Sequence, residues 1–166
     1  MMNWTIYQTV LWIHIFLAIN WVGGLLFVGW GVFPAVRFLA LRDMRRMLRA
    51  VMGHSHYLFT SAGAGVILTG TLLGTWLGPV KSFDAVWQTT YGILWFAALI
   101  IGVLTLLWGT FIGYPHAMRV LSEDSLWEAA EVGNRGPLNR SLIILALVES
   151  VEGFGFVVLL TLMIML

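Results

Sequence analysis

The chain contains no cysteine, which excludes disulfides, thiolate metal sites and covalent c-type haem attachment. Charge is almost as scarce. Charged residues make up 10% of the 166 positions, and none occurs from Met1 to Val36. Strand-like alternation is absent, so a closed β-barrel is excluded as a way of crossing a bilayer. No basic leader precedes the first apolar run, and the run is too long for a cleaved signal peptide; it is expected to remain as the first helix. No nucleophile–base pair and no phosphate loop is visible, so an independent enzyme is the least favoured of the readings. Nothing in the sequence points to nucleic acid as a partner.

What remains is apolar. Hydrophobic residues account for 60% of the chain and the mean hydropathy is +0.89. A soluble domain of this length could not bury so much apolar surface, so lipid is the solvent for most of it. Uncharged stretches recur over Thr5–Phe33, Met52–Leu77, Tyr91–Gly113 and Leu142–Leu166, each at or above the roughly 20 residues needed to span. The expected architecture is all-α: a polytopic membrane protein with a four-transmembrane-helix bundle, one domain over 1–166. Its helices are expected over about 5–33, 42–78 with a cytoplasmic amphipathic lead-in, 89–114 and 139–166.

The sparse charges orient it. Arg37, Arg42, Arg45, Arg46 and Arg49 fill the first connection, and Arg119, Arg135 and Arg140 the third, while Lys81 is alone in the second. The positive-inside rule puts the arginine loops in the cytoplasm and both termini outside, in a bacterial-type inner membrane. The first spanning helix is expected to end near Phe33-Pro34, because proline disfavours helical geometry in the residue before it, and the third, from about Tyr91, at Pro115-His116. From Leu41 to Met52 the arginines recur at helical spacing opposite Met44, Leu48 and Val51. That pattern reads as an amphipathic collar on anionic headgroups; alternatively, Arg46 and Arg49 bind cofactor carboxylates near His54 and His56. Ser125-Leu126-Trp127-Glu128 has the form of a capping box.

Polar groups within the apolar segments are the functional candidates. They are His14 and Asn20 in the first, His54 and His56 where the second begins, and Glu149 and Glu152 in the fourth. His116 reads as interfacial. At 3.6 residues per turn His56 shares a face with Gly63, Gly70 and Gly74, and His54 projects almost oppositely. Glu149 and Glu152 share a face, and two carboxylates so close in a low dielectric cannot both ionise cheaply. At ~1.5 Å rise per residue, His14 and His56 are separated axially by roughly 15–20 Å. One haem held between them is disfavoured, and two sites, one high and one low, are easier. Trp12, Trp21, Trp95 and Trp108 are too deep for an interfacial belt and either line a flat cofactor or pack. Met1, Met2, Met163 and Met165 would gather at the outer surface, a soft-ligand set that suits Cu(I).

His14, Ala18, Trp21-Val22-Gly23-Gly24, Leu25-Leu26-Phe27 and Pro34-Ala35 resemble the first helix of copper-resistance D-like (CopD-like) membrane proteins and of their haem-binding HemJ-like relatives. Leu68-Thr69-Gly70, Tyr91-Gly92, and Asn139-Arg140-Ser141 followed by Glu149 and Gly153 are similar to the later helices of that superfamily. The resemblance implies a four-helix bundle whose first-helix histidine serves a metal or haem. HemJ-type enzymes carry a lysine in the third helix, and Tyr91–Gly113 has none, so the resemblance does not extend to protoporphyrinogen oxidation. CopD-like proteins are about twice as long, which suggests a half-module or subunit.

The leading expectation is therefore a haem b-binding protein, an electron-transfer or accessory subunit partnered by other membrane subunits or by its own copies. His14 and His56 are the metal-ligand candidates, and His54, Arg46, Arg49 and Trp21 the further cofactor contacts. The alternatives are copper handling, using His14, the methionines and the acidic pair, and a structural subunit without a cofactor.

Overall fold

The computed structural model describes residues 4–166, and every element among them is helical. Four helices are long and apolar enough to cross a membrane: α1 (Trp4–Phe38), α2 (Leu41–Gly74), α4 (Thr90–Ser122) and α6 (Gly136–Met165). Two short helices join them, α3 (Phe83–Gln88) and α5 (Asp124–Glu131). The fold class expected from composition is this one. Chain-adjacent spanning helices pack together: α1 on α2, α2 on α4 and α4 on α6. No extensive packing joins α1 to α6, so the bundle is a curl with a seam along one side.

The proline stops do not operate. α1 continues past Pro34 to Phe38, and α4 past Pro115 to Ser122. In both cases a π turn lies just before the proline, at Val28–Val32 and Gly109–Gly113. The Phe33 and Tyr114 amides reach back five residues, to the Val28 and Gly109 carbonyls. A proline ring would strike the carbonyl four residues earlier. The widened turn moves that carbonyl aside, and the helix survives with one bond re-routed. A third π turn, Ile19–Gly23, has no proline; there the Asn20 side chain donates to the Phe16 carbonyl at 2.8 Å.

At the arginine-rich end the amphipathic lead-in is the first part of α2 itself, unbroken from Leu41. Its apolar face does not lie on headgroups. Met44 and Leu48 bury into a core with Val36, Leu121, Trp127 and Leu138, because the ends of α4 and α5 fold over them. Arg45, expected on the solvated face, turns inward. It donates to the Leu121 carbonyl at 2.8 Å and pairs with Asp124 at 2.6 Å, its guanidinium over the Trp127 ring. The capping box is not formed: α5 starts at Asp124, and the Ser125 hydroxyl donates to the Glu123 carboxylate. Gly133, at φ +98°, makes the turn into α6, a conformation glycine adopts without a Cβ penalty. At the other end Lys81 donates to the Thr75 and Trp76 carbonyls at 2.9 and 2.7 Å, covering orphan carbonyls at the end of α2.

Candidate functional site

Two cavities lie along the seam between α1 and α6. The inner one has a volume of about 660 Å³ and the outer one about 240 Å³. Trp21, 1% exposed, and Phe156 divide them, meeting edge to face with centroids 5.1 Å apart. Trp21 can stand there because Gly63 on α2 lacks a side chain; a Cβ at Gly63 would come within 3.0 Å of the indole.

The inner cavity is a mostly apolar cleft with four polar side chains of interest: His56, Tyr114, Glu149 and Glu152. The His56 and Tyr114 rings stack at 3.7 Å between centroids, 12° from parallel. Trp30, Val157 and Leu160 line the cleft while remaining exposed, so the cleft opens sideways where lipid would be. Both glutamates face α4 at its π turn. Glu152, 4% exposed, lies against Gly109 and beside the Trp21 indole. A Cβ at Gly113 would be 3.0 Å from Glu149 Oε1, an atom that is buried without a hydrogen-bond partner. Two glycines one turn apart thus make room for two carboxyls one turn apart.

The outer cavity holds His14, with Tyr7, Tyr91, Trp95 and Met163 among its lining. His14 Nδ1 is 2.8 Å from Thr69 Oγ1, which lies 2.7 Å from the Gly65 carbonyl oxygen. The threonine has one proton and the carbonyl can only accept. With the Gly65 carbonyl at 2.7 Å and the Val66 carbonyl at 3.2 Å taking the threonine's one proton, the arrangement favours the tautomer in which His14 Nδ1–H donates to Thr69 Oγ1. In a neutral imidazole this leaves Nε2 with a bare lone pair. Gly70 lets the ring lie against α2, since a Cβ there would approach His14 Cε1 to 3.1 Å. The Trp95 indole fills the space above Gly74 and donates to the Gly70 carbonyl at 3.1 Å.

Of the residues singled out in the sequence, Trp21, His56, Glu149 and Glu152 come together at the inner cleft, and His14 stands apart in the outer cavity. Trp21 borders both. His54 is exposed and lines neither, as its position on the helical wheel requires. Arg46 and Arg49 are exposed on the outside of α2 and line neither cavity. Met163 lines the outer cavity, Met165 is exposed, and Met1 and Met2 lie outside the described residues. Trp12 faces outward, while Trp108 donates to the Val148 carbonyl at 3.0 Å. His116, read as interfacial, has a buried Nε2 without a partner. Thr69 and Tyr114 carried no signal in periodicity; their parts depend on which helix face meets which. Among the described residues no three His, Cys, Asp or Glu side chains gather to hold a metal ion. Comparison with known proteins gave no matching family model, no matching curated protein and no matching solved structure.

Proposed function

We propose that this chain is a haem b-binding integral membrane protein with its prosthetic group in the inner cleft. The observation that carries the reading is the cleft itself. Its volume of about 660 Å³ falls in the roughly 300–1,000 Å³ range of small-molecule and cofactor sites. Its walls are aromatic and aliphatic, and an imidazole on α2 faces in. His56 is the candidate axial ligand, and Trp21, Phe59 and Phe156 offer flat apolar surface. Neither Arg46 nor Arg49 borders the cleft, so a propionate clamp by these arginines forms no part of the proposal. A haem there would supply one-electron transfer, at a potential set by its ligand and the low-dielectric shell.

The resemblance of the first helix to CopD-like and HemJ-like proteins supports a cofactor-bearing bundle. The arginine distribution supports an N-out/C-out orientation in a bacterial-type inner membrane. In this reading the chain serves as an electron-transfer or accessory subunit beside other subunits, or beside further copies. The test is a reduced-minus-oxidised spectrum and a pyridine haemochrome assay on protein purified in mild detergent. A Soret band that His56→Ala removes is the expected result. A well-folded, colourless protein would overturn the reading.

A further inference from the structure

The outer cavity is too small for a porphyrin, and among the described residues no three His, Cys, Asp or Glu side chains gather in it; His14 is the one imidazole in its lining. His14 Nε2 is the nitrogen left bare by the Nδ1–Thr69–Gly65 relay, with contacts of 2.8 and 2.7 Å. The relay fixes which nitrogen is free, and a hydrogen bond held by a second side chain also holds the ring in place.

The surroundings define what that lone pair can meet. About 240 Å³ is below the roughly 300 Å³ at which drug-sized pockets begin, which suits a single small ring. Tyr7, Tyr91, Trp95, Trp21 and Phe156 give the cavity several aromatic surfaces, favourable for an aromatic guest in offset or edge contacts. The two tyrosine hydroxyls make no hydrogen bond to another described residue. Access is lateral: Met163 of α6 lines the cavity and is exposed on the seam. A guest would come from the lipid phase with its tail left in the seam.

We infer that the outer cavity is a binding site for the phenolic, hydroquinone-type head group of a lipid-soluble molecule, whose hydroxyl donates to His14 Nε2. The site is separate from the inner cleft and does not depend on haem being bound there. It would be tested on the full-length protein in detergent with two redox-inert probes of matched shape, 4-decylphenol and its methyl ether. Quenching of tryptophan fluorescence reports binding, since Trp95 and Trp21 line the cavity.

The phenol should bind saturably at one site, about three- to tenfold tighter than the ether, the worth of one hydrogen bond. His14→Ala should erase that preference, and Thr69→Val, which keeps the imidazole but releases its tautomer, should narrow it. Equal affinity for the two probes would overturn the inference. So would a preference that survives in both variants, or one copper ion per chain that His14→Ala removes. Haem content measured on the same sample reports on the inner cleft alone, so the two proposals fail separately.

Discussion

Gly109 and Glu152 show how a single residue's size sets the chemistry of the inner cleft. The Glu152 carboxyl occupies the space where a side chain at Gly109 would begin. An added methyl must move a buried carboxyl on one side or the α4–α6 contact on the other. Gly109→Ala should therefore destabilise the protein by about 1–3 kcal/mol, the usual cost of overpacking, read as the thermal midpoint in detergent. Glu152→Ala in the same chain should relieve most of that loss. Strictly additive losses would mean that the two residues do not compete for space. At the arginine-rich end, Arg45→Ala removes a bond to a backbone carbonyl, a stacked contact and an ion pair at once. It should cost about 1–2 kcal/mol. Asp124→Ala removes only the ion pair, and Asp124 is 76% exposed, so its cost should stay below about 1 kcal/mol. Denaturant midpoints of the two variants decide the order. Neither pairing was legible beforehand: the sequence places Arg45 among four similar arginines, and only the fold of α5 over α2 singles it out.

At the scale of the element, the π turns decide where side chains point. Each inserts the equivalent of one residue into an α-helix, so the register beyond it is rotated by about 100° from a regular helix. Ile19 sits exposed in the first of them. Deleting it should convert the turn to regular helix while leaving the faces on either side in register. Deleting Ile13, in the regular part of α1, rotates Tyr7 and Leu11 off the outer cavity. The Ile19 deletion should therefore fold with nearly wild-type yield and thermal midpoint, and the Ile13 deletion should not. Equal losses would show that the π turn is not the slack in the helix. The existence and type of all four spanning helices were legible from charge-free length. Their ends at Pro34 and Pro115 were misplaced, because a proline rule describes a regular helix and these helices are widened just before the proline. The amphipathic lead-in was legible as a helix, but not what its apolar face would bury against.

For the whole molecule, the seam between α1 and α6 is the feature from which both cavities follow. α1 depends on α2 for its packing, and Trp21 with Phe156 bridges the open side. The two arginine-bearing connections meet in one core at the same end, as the charge asymmetry required if they share a compartment. Because the chain has no cysteine, this can be read directly with single cysteines. Asn134→Cys should react with an impermeant thiol reagent only after the cytoplasmic face is opened, and Asp84→Cys in intact cells. These outcomes follow from the proposed N-out/C-out orientation; the reverse pattern would overturn that orientation, and labelling of both from the same side would overturn the four crossings.

That the chain is helical, with four segments able to span a bilayer, follows from its uncharged runs alone. Hydrocarbon allows an uncharged run of that length no other way to satisfy its backbone. The sequence also marked His14, Asn20, Glu149 and Glu152 within the apolar runs and His54 and His56 where the second begins, since polar groups there are costly and few. How they are grouped is a matter of packing. Which helices touch, where glycine lets a carboxyl or an indole through, and which nitrogen of His14 is left bare all depend on contacts between residues far apart in the chain. Periodicity fixes the face of a helix, but the partner of that face is set by packing.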